Sequence, residues 1–299
     1  MPTRRWPRTA VAGMLLAMST MDLFLARAAS HLAARPPVRV LYTDLDGTLL
    51  GPDGSLLRGP DGAPSATAAR ALTAAADAGL TVVPVSGRQR AQLQGDARLM
   101  GLSDGIAEAG SVVIRAGEVR FQWGACPAGL GATPHEALAA VGALDLLLDA
   151  YPRDLRLYEP WHRGREGGML LHGLIDVADA NQRLVDAGLA WATVIDNGAT
   201  GGWPGRTVRA YHLLPHGVGK ARAVADDVAE RGISPAAAAA IGDSPEDATM
   251  AGSVGTYFQV ANGSGSGRDD DIVTPGAMGD GFAQAVTALI AAAEERSSR

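Results

Sequence analysis

At 299 residues and 47% hydrophobic composition, the chain is long enough to bury one large core or two modest ones. Its formal charge of −6 offers no basic excess to neutralise a phosphate backbone. That argues against a nucleic-acid partner but leaves room for a small anion held by a few local cations. Cys126 is the only cysteine, so an intramolecular disulfide and a cysteine-ligated zinc site are both excluded.

Residues 1–35 read as a leader. Arg4, Arg5 and Arg8 precede an uncharged run from Thr9 to Met21, and Ala26-Arg27-Ala28 supplies small residues at a cleavage-like spacing, the three parts of a signal peptide. An over-extended start, with Met14, Met18 or Met21 as the true first residue, or a disordered leader fits as well. Asp22 interrupts the run, so no membrane span is expected. The cytoplasm is the expected location and export the alternative, because nothing in the core needs an oxidising compartment. Arg35-Pro36-Pro37 makes a boundary, and the leader is expected to be dispensable for folding.

From Val38 short apolar runs alternate with helical stretches. Val38–Thr43 predicts a strand; Ser65 opens a helix to Ala78, ended by Gly79; Leu80–Ser86 predicts a second strand and Arg88–Met100 a helix. Ser111–Trp123 alternates about Ala116-Gly117 as a hairpin does. After a long mixed segment, Ala236–Asp243 predicts a strand, Ser244-Pro245 a capped short helix, Gly255–Val260 a strand and Gly281–Glu295 a helix. Such alternation means a parallel, doubly wound α/β sheet covered on both faces. Residues 115–210 break the pattern with helices at His135–Ala150 and Asp176–Ala187, an irregular stretch at Tyr158–Gly168 and strands at 169–175, 189–195 and 206–214. The expected organisation is therefore a core of residues 36–114 and 211–299 with an α+β insert at 115–210.

Chemistry concentrates at the predicted strand ends. Asp44 and Asp46 follow the first strand two residues apart, so both carboxylates can face one site at the edge where open α/β sheets bind ligands. A turn capped by its own aspartates is the simpler alternative. An EF-hand is excluded, because counting from Asp44 the glycine is fourth and position twelve is Ser55. Ser86-Gly87-Arg88 puts a hydroxyl and free amides after the second strand, an arrangement suited to phosphate. Lys220 opens a helix, where a cation opposes the dipole unless an anion lies in front of it. Asp243 and Asp247 end a further strand and its capping turn.

Taken in order, D-x-D-G-T, S-G-R, a lysine and G-D-S-x-x-D-x-x-M resemble the haloacid dehalogenase superfamily, and more narrowly its Cof-type and sucrose-phosphatase-like members with an α+β cap. The likeness spans roughly residues 38–290 and includes Thr274–Phe282. One departure stands at Glu108-Ala109-Gly110, where relatives often read Glu-Asn-Gly. The resemblance implies that Asp44 is a nucleophile forming an aspartyl-phosphate, and that Asp46 serves as acid and then base. Mg²⁺ would lie on Asp44, the Asp46 carbonyl and Asp243, with Asp247 in its shell directly or through water, and the phosphoryl oxygens on Ser86, Gly87 and Lys220. It implies a phosphatase acting on a small phosphorylated metabolite, a sugar phosphate, with no nucleic-acid or membrane partner. A phosphomutase, or a non-catalytic binding protein on the same scaffold, is the alternative. Substrate contacts are expected from Arg88 and from Trp161, His162, Arg163 and Arg165 in the insert, with Trp203 and Arg206 next in line.

Overall fold

In a computed structural model that describes residues 19–264 and 270–298, five strands form a wholly parallel sheet. In chain order they are β1 (Val40–Thr43), β2 (Thr81–Pro84), β10 (Ala238–Gly242), β11 (Thr256–Gln259) and β12 (Ile272–Val273), arranged β12-β11-β10-β1-β2. The side-chain alternation of extended chain sorts their residues into two clusters. Leu41, Val82, Ala239, Ile241 and Phe258 face one, Val40, Tyr42, Val83, Ala240 and Tyr257 the other. The helices α1 (Thr20–Ala33), α2 (Thr67–Asp77) and α9 (Met278–Ser297) cover the first face. The second is covered by α7 (Lys220–Glu230), through Ala223, Val224 and Val228. The remaining core helices are α3 (Arg90–Leu99) and the one-turn α8 (Pro245–Ala248).

The leader expectation needs correcting for residues 19–33. Phe24, Ala28 and Leu32, spaced i, i+4, i+8, bury one face of α1 in the core, with Phe24 tilted against Phe258 at 6.4 Å between ring centroids. Ser19 and Asp22 form a reciprocal capping box at its start, which is why an acid interrupts the apolar run. Arg27 donates to the Asp271 carbonyl at 2.8 Å. An apolar run cannot by itself distinguish a signal segment from an amphipathic helix, and here the Ala26–Ala28 motif sits mid-helix. Arg4, Arg5, Arg8 and most of the uncharged run lie outside the described residues. Among the described residues no helix is long and apolar enough to cross a membrane.

A three-stranded antiparallel sheet, β3 (Gly105–Ala107), β4 (Val112–Arg115) and β5 (Glu118–Phe121), joins the core through a Val85–Ile106 bridge. Ala116 and Gly117 turn its hairpin with φ of +50° and +83°, the conformation of a two-residue primed turn. Beyond it stands the cap, an antiparallel sheet in the order β6 (Leu155–Leu157), β7 (Met169–Gly173), β9 (Arg206–Pro215), β8 (Ala192–Trp203). Its helices are α4 (Pro134–Ala140), α5 (Ala143–Ala150) and α6 (Val177–Asp186), so the single helix expected over 135–150 is two. The cap has its own apolar cluster, from Leu138 to Leu213. Val119 and Phe121 pack on the core instead, and β9 runs on to Pro215, so the expected boundaries at 115 and 210 each move a few residues along the chain.

Candidate active site

β1 lies between β2 and β10, so the chain leaves it to one side first and returns on the other, and the crevice opens at its carboxyl end. Asp44, just past β1 and buried, accepts from Lys220 Nζ at 3.0 Å; the same ammonium donates to Asp247 Oδ1 at 2.7 Å and stands 3.7 Å from Glu246. A cation at the first residue of α7 is thus held against the helix dipole by three carboxylates. Asp247 serves twice: its other oxygen accepts from Ser244 Oγ at 2.6 Å and Ser244 N at 3.1 Å, closing a capping box on α8. The capping turn and the site residue are one structure. Asp243 accepts from Thr48 Oγ1 at 3.3 Å. It lies against Gly47, where a Cβ would stand 2.6 Å from its carboxylate and φ is +90°, so both space and backbone call for glycine there. Ser86 is buried at the end of β2, its hydroxyl accepting from Arg88 N at 3.2 Å.

These carboxylates fit a hard divalent cation. Oxygens of Asp44, Asp243 and Asp247 come within 4.8 Å of one another. Burial and the neighbouring Asp247 push the Asp44 carboxyl well above its ordinary value and that of Asp243 up to about 6, the mark of negative charge that Lys220 alone does not balance. Burial also works against the Asp247 carboxylate, but Lys220 and Ser244 outweigh it and hold its pKa below the ordinary value. The Lys220 ammonium loses solvation on burial, and Asp247, Asp44 and Glu246 more than restore its charged form. Asp46 contributes no side-chain oxygen to this cluster. Its half-exposed carboxylate is gripped by Arg88, at 2.9 Å from Nε and 2.5 Å from Nη2, and Arg88 is braced in turn by Asp96 at 2.6 Å.

No family model and no curated protein matches the chain in sequence. In structure it is similar to protein 0175 of Thermoplasma acidophilum at 20% identity, with a TM-score of 0.61 over 85% of this chain and 99% of that one. It is similar to a haloacid dehalogenase-like hydrolase from Bacteroides thetaiotaomicron at 15% identity, with a TM-score of 0.58 over 84% and 98%. It is also similar to the sucrose-phosphatase of Synechocystis, solved in complex with sucrose and phosphate, at 15% identity and a TM-score of 0.59 over 85% and 98%. The fold is that of the haloacid dehalogenase-like hydrolases. The match takes in nearly the whole of each of these three relatives.

In this haloacid dehalogenase-like fold a pocket of about 720 Å³ lies between core and cap. Asp44, Asp46, Ser86, Gly87, Arg88, Lys220, Asp243 and Asp247 all line it. The four candidates of the irregular cap stretch separate. Trp161 and Arg165 line the pocket, Arg165 buried with Nη2 donating to the Gly87 carbonyl at 2.7 Å. His162 packs on His135 at 5.6 Å and accepts from Leu170 N at 3.4 Å, away from the pocket lining. Arg163 is exposed and pairs with Glu159, four residues back, at 2.7 Å. Trp203 and Arg206 sit together at the β8–β9 tip, Arg206 also pairing with Asp154, and neither lines the pocket. The pocket adds Tyr158, Asn197 and Glu246. Glu246 was visible between the two aspartates of the last motif, and Tyr158 opens the aromatic stretch. Asn197 was hidden because β8 runs eight residues past Ile195, where the apolar pattern ends.

Proposed function

We propose that the chain is a Mg²⁺-dependent phosphatase for a small phosphorylated metabolite, a sugar phosphate, working through an aspartyl-phosphate on Asp44. The carrying observation is the buried Asp44 carboxylate at the end of β1, with Lys220 at 3.0 Å, the Asp243–Asp247 carboxylates beside it and Ser86 lining the same pocket. An Asp44 oxygen attacks phosphorus while the bond to the ester oxygen breaks and Asp46 gives that oxygen a proton. Asp46 then takes a proton from the water that cleaves the acyl phosphate, and inorganic phosphate leaves. For either transfer Asp46 exchanges its Arg88 partner for the reacting oxygen. Ser86, the Gly87 amide and Lys220 hold the phosphoryl oxygens. Asp44, Asp243 and Asp247, with the Asp46 carbonyl, would hold Mg²⁺, which neutralises carboxylate and phosphoryl charge when bound.

The leaving part of the substrate faces Tyr158, Trp161, Asn197 and Arg165. Aromatic walls with two polar groups suit a sugar, and the sucrose bound to one structural relative fits that choice. The test is a panel of phosphorylated metabolites with Mg²⁺, read as released inorganic phosphate. Release from sugar phosphates is expected. Isomerised ester without free phosphate would mean a phosphomutase, and tight binding without turnover a binding protein.

A further inference from the structure

The Glu108–Gly110 turn occupies a junction that the transfer chemistry does not use. Glu108 and Ala109 both hold left-handed backbone, at φ of +53° and +57°, a strain that persists only where surroundings impose it. They are imposed upon from two sides. Glu108 N donates to the Arg88 carbonyl at 3.0 Å and Ala109 N to that of Ser86 at 3.1 Å, so the turn clasps the phosphate-binding loop. Gly110 abuts the start of α7, where a Cβ would stand 2.4 Å from Gly219 and 2.8 Å from Lys220 N. From this seat the fully buried Glu108 carboxylate reaches the cap. It accepts from Gly167 N at 2.9 Å and from Glu166 N at 3.2 Å, as well as from Arg90 N at 3.3 Å. Arg90 then pairs with the Glu166 side chain, and Gly167 seats so closely on Ser111 that a Cβ would be 2.0 Å from its hydroxyl. Arg165 precedes these anchored residues. Its guanidinium donates to the carbonyls of Gly87 and Trp161 and, among the described residues, has no carboxylate within 4.0 Å.

We propose that Glu108 is a positioning residue, whose buried carboxylate fastens cap residues 166–167 to the core so that Arg165 stands over the phosphate-binding loop, facing the pocket. Glu108 does not itself line the pocket. Arg165, next in the chain to the docked Glu166, reaches the loop through its own bond to the Gly87 carbonyl, so cap seating and the phosphate-binding edge meet at one turn. The role of Arg165 toward substrate rests on the phosphatase reading; the docking does not.

Two measurements separate them. Hydrogen exchange of the unliganded protein needs no turnover. In Glu108→Gln, which keeps the volume but loses one acceptor oxygen, and in Glu108→Ala, the amides of Glu166 and Gly167 should exchange about tenfold faster or more, the effect of losing one charge-assisted hydrogen bond. Those of β7 should be unchanged. In the second measurement, with the metabolite identified by the panel, Glu108→Gln should raise KM about tenfold, and that loss should disappear in an Arg165→Ala background. Unchanged exchange at 166–167, or acceleration spread evenly over core and cap with a lowered Tm, overturns the docking role. Additive kinetic losses overturn its link to Arg165. If the wild-type chain hydrolyses nothing while the exchange pattern follows Glu108, the phosphatase reading falls and the docking stands.

Discussion

The carboxyl edge of the core sheet and the cap segment 158–168 look into the same pocket, yet they place their side chains by different means. At the core edge each group leaves the end of a strand or the start of a helix. Asp44 follows β1, Ser86 follows β2, Asp243 follows β10, Lys220 opens α7 and Asp247 caps α8. Hydrogen-bonded backbone sets their directions, and side-chain contacts then hold them. The cap segment has no such period. Trp161 and Arg165 face in while His162 and Arg163 face elsewhere, and contacts with Gly87, Glu159, His135 and the Glu108 carboxylate decide which. Groups for the invariant part of a reaction can be carried on regular elements, whereas a loop can be rebuilt around a different substrate without disturbing them.

Substitutions should show this division, with the largest losses at the core edge. Asp44→Asn should abolish phosphate release, since an amide does not form the acyl phosphate. The protein should melt no lower than wild type, because a crowded buried carboxylate has been removed. Activity within tenfold of wild type would refute the nucleophile.

Chelation comes next. EDTA should silence turnover and Mg²⁺ restore it, and the metal-free protein should show the charge strain directly. The Asp243 pKa is raised to about 6 in the fold, from an ordinary value of 3.8. The folded state therefore binds more protons than the unfolded one between those values, and stability is lost as pH rises through about 6. Metal-free Tm should climb as pH falls from 7 to 5, and added Mg²⁺ should raise Tm more at pH 7 than at pH 5. A Tm gain from Mg²⁺ that does not depend on pH would count against the carboxylate cluster as its site.

Within the cap the two arginines two residues apart should differ. Arg165→Ala should lower kcat/KM for the metabolite roughly ten- to a hundredfold, the effect of about 1.5–3 kcal/mol for a charge-assisted hydrogen bond. A simple aryl phosphate, which lacks the leaving part, should suffer less. Arg163→Ala should match wild type on both, because an exposed i,i+4 pair contributes little. Equal losses at the two positions would erase the distinction between the segment's inner and outer faces.

The kinetic effect should be small for α1 too, which packs against the core cluster and contributes nothing to the pocket lining. Deleting residues 1–33 should leave kcat and KM near wild type but lower Tm. Burying Phe24 and Leu32 is worth about 1.5–3 kcal/mol each, and each kcal/mol moves Tm by about 2–4 °C in a domain of this size. An unchanged Tm would mean that the helix is bound without stabilising the core.

What the sequence by itself determined was local: the strand periods, the glycine beside Asp46, and the order of Asp44, Ser86, Lys220 and Asp243 at strand ends and a helix start. A side chain at the end of a strand points where the backbone sends it, so spacing suffices to gather these residues. Tertiary structure decided what depends on partners distant along the chain. It turned part of an apparent leader into a core helix, because Phe24, Ala28 and Leu32 found an uncovered sheet face. It also chose Arg165 over Arg163 and gave Glu108, an acid to which the sequence assigned no role, a buried place. A loop and a buried charge have no periodic constraint, and only the groups that close around them fix where they point.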